Sequence, residues 1–362
     1  MKLVFYLLFI VLFPLYALGN TIVHIQIHDA ISPATAKYLD DAFLETKKHK
    51  ATLLLIELDT PGGLATSMRH MIQEILNSEI PIVMFVSPKG SRAASAGTYL
   101  MYASHVAAMT PGSNIGAATP VNLMQAPEPK KDKNKDDKTQ ETIKQQKSAM
   151  EKKVINDSIA YIKSIAELRN RNIPWAIQAV KEGESISSKE ALELNVIDLM
   201  AENIDELLLK IDNREVLIND KKIKIKTSNA TIIFFAPSWK TKILMTISNP
   251  NIAYIFLIVA MYGILFEMMN PGSIFPGVIG AVSALIALYA LNILPFNYVG
   301  LLLIFLGVVF MVMEVFIAGL GILGVAGVIA FAFGSLLLFD EKTLGMGVSY
   351  PLVFAFSFVV QS

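Results

Sequence analysis

The first two thirds of the chain alternate strand-like and helix-like hydrophobic patterns. "TIVHIQI" (21–27) alternates like a strand, whereas "ATLLLIELD" (51–59) and "IPIVMFVS" (80–87) are nearly continuous apolar runs, typical of strands buried on both faces. Helical spacing follows the first two strands, in residues 33–50 and 64–78. The order strand, helix, strand, helix, strand predicts an α/β domain whose parallel sheet is wrapped by helices.

The last third is apolar enough to lie in a membrane. Four hydrophobic runs have close to the ~20 residues needed to cross a bilayer: 250–269, 273–293, 297–317 and 320–339. We therefore predict an all-α transmembrane domain of four helices over residues 249–340, followed by an incomplete further hydrophobic segment over 341–362. Glu267 and Glu314 precede turns rich in Gly and Pro. We expect each to lie near the interface or to cap a neighbouring helix rather than to mark an ion path.

The chain begins with the pattern of a secretion signal. "MKLVFYLLFIVLFPLYALGN" has one lysine, an apolar run, and the small residues Ala17 and Gly19 at the spacing of a signal peptidase site. Residues 1–19 are therefore predicted to be a signal peptide. The α/β domain, residues 20–230, would then lie on the periplasmic or extracellular side of the cytoplasmic membrane. An uncleaved N-terminal anchor is the alternative, and it places the domain on the same side.

Three shorter segments have their own patterns. Residues 123–147 are charged and almost free of large apolar side chains, so we predict a mobile insertion, with a helix resuming near Met150. "REVLINDKKIKIKTS" predicts a hairpin that turns at the Asn-Asp pair 219–220. Residues 231–248 are predicted to form an amphipathic linker at the membrane interface, because Trp239 is followed by lysines.

Composition and charge narrow the classes of function. The 362 residues are 53% hydrophobic, and they carry 31 basic and 31 acidic side chains. Since the net charge is zero and the basic residues are dispersed, no nucleic-acid partner is implied. The absence of cysteine excludes a disulfide framework, a thiolate nucleophile and a cysteine metal site. We expect neither a metal nor a cofactor.

Two glycine-containing turns follow neighbouring strands of the predicted sheet. "DTPGG" (59–63) and "AASAG" (93–97) each come before a helical pattern. Glycine lets backbone N–H groups approach a bound carbonyl oxygen closely, and the start of a helix favours negative charge there. The second turn also presents the hydroxyl of Ser95 between small residues. Because the carboxyl ends of parallel strands meet at one edge, the two turns together predict a serine nucleophile beside an oxyanion hole.

A serine nucleophile needs a proton acceptor, and the histidines do not supply one. His105 lies ten residues after Ser95, which is ~15 Å along a helix and beyond hydrogen-bond reach. The other four histidines fit surface or packing roles. A lysine that an apolar site keeps neutral is the remaining base. Lys153 is preferred because it begins the apolar helix after the insertion, although on spacing alone Lys152 and Lys147 are nearly as good.

The chain resembles the NfeD family of membrane-bound Clp-class serine proteases. The residues that carry the resemblance are "IELDTPGG", "SRAASAGTYLMYASHVAAMTPGSNIGA", "IAYIKSIAELRNRN", "KEALELNVID" and "NPNIAYIFLIVAMYGI". The family implies a Clp/crotonase-like protease fold with a Ser-Lys dyad. Matched by motif, the nucleophile is Ser95, the base is Lys153, and the oxyanion donors are Ala96 and the pair Gly62 and Gly63, with Gly63 favoured.

The resemblance also implies partners. Hydrophobic segments of stomatin-like membrane proteins would be the substrates, the lipid bilayer would hold the chain, and copies would form a homo-oligomer. Long family members continue into a small OB-like β-barrel, and we expect that barrel to be absent here. Two other functions are open at this stage: a non-proteolytic scaffold that binds stomatin-like proteins, and an acyl-thioester site of the crotonase kind.

Overall fold

The computed structural model describes residues 20–120, 137–270, 272, 274–294, 296–316, 321–339 and 347–359. The predicted signal peptide (1–19) and residues 123–136 of the predicted insertion lie outside these ranges. The described part contains a parallel α/β domain followed by apolar helices. The predicted fold class, an α/β domain before an all-helical region, is confirmed in this architecture.

The centre of the α/β domain is a six-stranded sheet in the order β11-β1-β2-β3-β5-β8, in which every neighbouring pair is parallel. Its strands are β1 Thr21–Ile27, β2 Leu53–Leu58, β3 Ile82–Val86, β5 Val106–Met109, β8 Leu199–Met200 and β11 Thr231–Phe234. All residues of β2 and β3 are buried. This agrees with their continuous apolar sequence, because both faces of the sheet are covered.

The helices of this domain are α1 Pro33–His49, α2 Ala65–Leu76, α3 Ala96–Ala103, α4 Asp137–Leu168, α5 Ile173–Lys181, α6 Ser188–Glu193 and α7 Ile204–Ile211. The larger core cluster packs α1 to α5 against one face of the sheet. A smaller cluster packs α7 and a hairpin against the other face. Helix α1 begins sharply because Ser32 and Thr35 form a capping box.

Two smaller sheets complete the domain. The strands β4 Arg92–Ala94, β6 Asn114–Gly116 and β7 Ser185–Ser187 form one of them, beside the carboxyl end of the main sheet. The other is the hairpin of β9 Glu215–Ile218 and β10 Lys221–Lys224. Its turn residues Asn219 and Asp220 both have positive φ, 48° and 60°, as a two-residue hairpin turn requires. The predicted hairpin is therefore confirmed.

Two predicted boundaries were wrong. Residues 231–234 form β11, which pairs in parallel with β1, so the α/β domain extends past residue 230 and the linker begins later. Helix α4 begins at Asp137 rather than near Met150, so residues 137–147 of the predicted insertion are helical. The Lys, Gln and Glu residues there have high helix propensity, although they offer no apolar face for a pattern to reveal.

Among the described residues, the C-terminal part contains a short helix and five apolar helices. They are α8 Trp239–Ile247, α9 Pro250–Met269, α10 Phe275–Ile293, α11 Tyr298–Phe316, α12 Ile322–Leu338 and α13 Tyr350–Val359. Two segments, Pro250–Met269 and Phe275–Asn292, are long and apolar enough to cross a membrane, and two shorter apolar helices follow. The helices of the four predicted spans are thus present.

Glycines and acidic caps explain how these apolar helices meet. A Cβ added at Gly263 would lie 2.7 Å from the Gly280 Cα, and one added at Gly307 would lie 2.7 Å from the Gly327 carbonyl oxygen. The helices therefore touch backbone to backbone. The Glu314 carboxylate accepts hydrogen bonds from the N–H groups that open α12, including that of Gly321 at 2.8 Å. The predicted capping role of this glutamate is confirmed.

Candidate active site

Ser95 lies on a strained turn between β4 and α3. Its φ is 52° and its ψ is −114°, a conformation that a non-glycine residue adopts only where the surroundings hold it. The Ser95 N–H donates to the Gly116 carbonyl oxygen at 2.9 Å. The side chain does not cap α3, and among the described residues nothing hydrogen-bonds its hydroxyl. The oxygen is thus free to meet a substrate.

Thr98, in the first turn of α3, stabilises this conformation through its hydroxyl. Its buried Oγ1 lies 2.9 Å from the carbonyl oxygens of both Ala93 and Gly116, to which the single hydroxyl proton is shared. These two carbonyls belong to the strand before Ser95 and to the strand that pairs with it. The nucleophile therefore sits on a backbone that is fixed from two sides.

The turn "DTPGG" faces this serine. A Cβ added at Gly62 would lie 2.6 Å from the Ser95 Cβ and 3.1 Å from its Oγ, so the two turns are in contact. Gly63 is held against Ile31: the Ile31 N–H donates to the Gly62 carbonyl at 2.7 Å, and the Leu64 N–H donates to the Ile31 carbonyl at 2.8 Å. The φ values of Gly62 and Gly63, 119° and 149°, lie in the region that favours glycine.

Two backbone N–H groups flank the serine without partners. The Gly62 N–H is occupied, because it donates to the Thr60 hydroxyl at 3.2 Å. Within the described residues, neither the Gly63 N–H nor the Ala96 N–H donates a hydrogen bond. Ala96 is the first residue of α3, so its N–H also lies at the positive end of the helix dipole. Such a pair can stabilise an oxyanion.

Lys153 has different surroundings. It lies sixteen residues after Asp137, the first residue of α4, and its side chain is exposed, as is that of Lys152. The expectation that Lys153 begins a helix was therefore wrong, because the polar residues before it are helical. No hydrogen bond joins Lys153 to Ser95 among the described residues. The structure brings together the serine and the two glycines, whereas among the described residues no hydrogen bond joins the lysine to them.

Contacts farther along α4 locate Lys153 relative to the serine. The rings of Tyr99 and Tyr161 stack at 6.2 Å, and the Arg69 guanidinium of α2 bonds the Asp157 carboxylate at 2.5 Å. Tyr99 is four residues after Ser95, and Asp157 is four residues after Lys153. Ser95 therefore lies about one helical turn before Tyr99, and Lys153 lies about one turn before Asp157, toward the same end of the domain.

The histidines do not provide a base at this site. His105 is buried at the opposite end of the sheet, where its Nδ1 accepts the Ile82 N–H at 3.2 Å. Burial, reinforced by Arg169 and Arg171, lowers the pKa of His105 to about 3. His24 is buried 2.9 Å from the Glu57 carboxylate. The exclusion of a histidine triad agrees with these positions.

The sequence did not single out the threonines of the site. Thr60 and Thr98 are completely buried, and their hydroxyls bond the backbone of the two turns. Both lie inside or next to the motifs that were quoted. The available signal was a hydroxyl residue in a buried glycine turn, a position where side chains often bond the local backbone.

Two family models match the chain. The model described as the NfeD1b N-terminal domain matches residues 21–221, and the NfeD integral membrane domain matches residues 251–361. Membrane-bound protease PH1510 of Pyrococcus horikoshii is 32% identical over 332 residues, covering 89% of this chain and 70% of that protein. Membrane protein NfeD1b of Bacillus subtilis is 26% identical over 321 residues, covering 87% and 67%.

Solved structures agree with these matches. The 1510-N membrane protease specific for a stomatin homologue, from Pyrococcus horikoshii, has a TM-score of 0.52 at 31% identity, covering 64% of this chain and 99% of that chain. A lysine-to-alanine variant of the 1510-N stomatin-specific protease in complex with a substrate peptide has a TM-score of 0.53 at 31% identity, covering 63% and 97%. The same protease with a serine-to-alanine substitution matches at 0.53 and 32%, covering 61% and 99%.

These relatives confirm the predictions of a membrane protein and of a serine protease. Both glycine turns lie within the range of the first family model, and helices α10 to α13 lie within the range of the second. The chain belongs to the NfeD family of membrane-bound serine proteases.

Proposed function

We propose that this protein is an endopeptidase in which Ser95 and Lys153 form the catalytic dyad. The observation that carries the proposal is the pair of unpartnered N–H groups, on Gly63 and Ala96, in the two turns that meet at Ser95. Gly62 completes the contact between the two turns. Relatives solved as serine-to-alanine and lysine-to-alanine variants support a dyad of these residue types.

The reaction follows from this arrangement. The Ser95 Oγ attacks the peptide carbonyl carbon while its proton passes to the neutral Lys153 amine. The carbonyl oxygen becomes an oxyanion that the Gly63 and Ala96 N–H groups stabilise. When the C–N bond breaks, the Lys153 ammonium returns the proton to the leaving amine. A water then hydrolyses the acyl-enzyme by the same proton relay.

An apolar substrate explains how an exposed lysine can act as a base. Ammonium groups lose protons readily only where water is excluded. The Lys153 side chain is exposed, so a bound hydrophobic segment would be needed to cover it and exclude water. A relative is described as specific for a stomatin homologue. We therefore propose that the substrates are hydrophobic segments of stomatin-like membrane proteins.

The membrane region supports a second part of the proposal. Helix α8 exposes Trp239, Lys242 and Ile243 while Thr241 packs toward α1. These exposed side chains suit the membrane–water interface. We propose that the chain crosses the cytoplasmic membrane several times, with the protease domain on the periplasmic or extracellular side, and that copies assemble into a homo-oligomer.

The test uses the full-length protein in detergent and a peptide with a hydrophobic segment. We expect Ser95→Ala to lower the cleavage rate by at least about 10³-fold, and Lys153→Ala to have an effect of similar order. Lys152→Ala is the matched control and should cleave normally. Undiminished cleavage by Ser95→Ala would reject the nucleophile, and loss in Lys152→Ala with activity in Lys153→Ala would move the base by one position.

A second peptide, of equal length and with polar residues at the apolar positions, tests the substrate class. We expect a much lower kcat/KM for the polar peptide, because it would not exclude water from Lys153. Equal values for the two peptides would contradict the proposed preference while leaving the dyad in place.

A further inference from the structure

Thr60 connects the two turns of the site, and the mechanism above gives it no role. Its side chain is completely buried, and its hydroxyl donates to the Gly62 carbonyl oxygen at 3.1 Å. The Thr60 N–H donates to the Arg92 carbonyl at 2.8 Å, and the Thr60 carbonyl accepts the Ala94 N–H at 3.1 Å. One residue thus joins the glycine turn to the strand that leads into the nucleophile.

The orientation of the Gly62–Gly63 peptide decides whether an oxyanion donor exists. In a trans peptide the C=O and the N–H point in opposite directions. The Gly62 oxygen is held by two donors, the Ile31 N–H at 2.7 Å and the Thr60 hydroxyl. The N–H of the same peptide, which belongs to Gly63, must therefore point away from these donors, and it is left unpartnered.

Side-chain sterics do not oppose a rotation of this peptide. Both flanking residues are glycines with φ of 119° and 149°, and glycine reaches most backbone conformations. A rotated peptide would present the Gly62 carbonyl where the N–H is needed. The two hydrogen bonds to the Gly62 oxygen are the contacts that hold it, and only the one from Thr60 comes from a side chain.

Thr60 also packs against Gly97, the residue after the second oxyanion donor. A Cβ added at Gly97 would lie 2.7 Å from the Thr60 Cγ2, so the methyl group packs against the first turn of α3, which presents the Ala96 N–H. We propose that Thr60 is a positioning residue of the oxyanion hole, because its hydroxyl orients the Gly63 N–H. This inference rests on the proposed function.

The experiment compares Thr60→Val, which removes the hydroxyl and keeps the shape, with Thr60→Ser, which keeps the hydroxyl. We measure kcat and KM for the hydrophobic peptide, and the affinity of a peptide aldehyde that forms a tetrahedral adduct with the serine. Thr60→Val should lower kcat by about 10- to 100-fold, with KM within about twofold, because only the transition state uses the donor. The affinity for the aldehyde should fall by the same factor. Thr60→Ser should keep both kcat and the affinity for the aldehyde close to the wild-type values.

Thr227→Val is the matched control. Thr227 is buried, and its hydroxyl donates to the Leu208 carbonyl at 2.7 Å beside the other face of the sheet. This variant can lose stability but should keep the kcat of the wild type. If Thr60→Val, like the control, lowers the melting temperature but leaves kcat unchanged, the positioning role is overturned. If Thr60→Val does not fold, Thr60→Ala against Thr60→Ser gives the same contrast.

The wild type separates this inference from the proposed function. A wild type that neither cleaves the peptide nor binds the aldehyde would reject the proposed function and the inference with it. An active wild type with an equally active Thr60→Val would reject the inference alone. Folding of Thr60→Ser but of neither Thr60→Val nor Thr60→Ala would make the hydroxyl a folding determinant, and that result also rejects the positioning role.

Discussion

Two parts of this site are held by different kinds of contact: the turns around Ser95, which we call the serine side, and the part of α4 around Lys153, which we call the lysine side. On the serine side, buried hydrogen bonds fix the backbone: the Thr98 hydroxyl holds two carbonyls, and the Ile31 N–H holds Gly62. On the lysine side, the contacts of α4 near the site are partly exposed. The Arg69–Asp157 pair has side chains that are 42% and 67% exposed.

This difference separates two requirements of catalysis. An oxyanion hole must be oriented before the reaction, since the rate gain comes from dipoles that need no rearrangement. A lysine base must instead lose its water, and a bound substrate can cause that loss. We infer that the serine side is preorganised in the free protein, whereas the lysine side is completed when an apolar segment binds.

After Ser95→Ala, the largest predicted effect on the serine side is that of Gly63→Ala. An added Cβ would lie 2.1 Å from the Ile31 carbonyl oxygen, and φ is 149°, so the turn must shift. We expect kcat to fall by at least about 10²-fold, as when an oxyanion donor is removed. Gly90→Ala is the control, because Gly90 also has a positive φ of 88° but no atom within 4 Å of the added Cβ. Similar activities of the two variants would contradict the tight fit at Gly63.

Acid should destabilise the folded domain that supports the serine side. Burial alone would raise the pKa of Glu57, but hydrogen bonds from His24, Gln26 and Ser87 outweigh it and lower the pKa to about 2. Because the pKa of Glu57 is lower in the folded protein than in the unfolded chain, where it is near 4.5, ionised Glu57 stabilises the fold above pH 4.5. This stability is lost as the pH falls toward 2. The contribution is on the order of 3 kcal/mol.

Burial also lowers the pKa of His105, to about 3. Neutral His105 therefore adds stability above the unfolded value of 6.5, and this part is lost as the pH falls from 6.5 toward 3. The free energy of unfolding, monitored at each pH by the fluorescence of buried Trp175, should show both contributions. Glu57→Gln should remove only the contribution of Glu57 below pH 4.5, and it should leave the contribution of His105 between pH 6.5 and 3. A wild-type stability that is constant from pH 7 to 3 would contradict both assignments.

The sequence predicted the local features of the serine side and missed the nonlocal ones. The glycine turns, Ser95 and the Asn219–Asp220 hairpin depend on residues that are close in the chain. Strand β11 was missed because its partner β1 is about two hundred residues away, and four residues with two adjacent isoleucines look like the start of an apolar region. Nothing within 231–234 specifies that pairing.

Two features of the site depend on contacts that no local pattern contains. The role of Thr60 is visible only once Ile31 is placed against Gly62. The true start of α4 was hidden because polar helix formers and mobile charged segments have similar compositions. The preference for Lys153 came partly from that false helix start, so the chemistry of the base now rests on the motif and on the position of α4.

The smallest predicted effect tests the position of α4. Arg69 bonds Asp157 at 2.5 Å, and its guanidinium lies 4.2 Å from the Tyr161 ring centroid. Arg69→Gln removes both contacts, which lie one and about two turns along α4 from Lys153. Because the ion pair is exposed, the free energy of unfolding should change by less than about 1 kcal/mol. The kcat/KM should still fall by about three- to tenfold, since a small displacement of a catalytic group costs rate.

Lys163→Gln is the matched control for this test. It also removes one positive charge from an exposed pair, with Glu167 at 3.7 Å, but that pair lies within α4 and does not join it to α2. We expect wild-type kcat/KM for Lys163→Gln and equal melting temperatures for the two variants. If Arg69→Gln cleaves as fast as Lys163→Gln, the link between α2 and α4 does not set the position of the base, and bound substrate alone must bring Lys153 to Ser95.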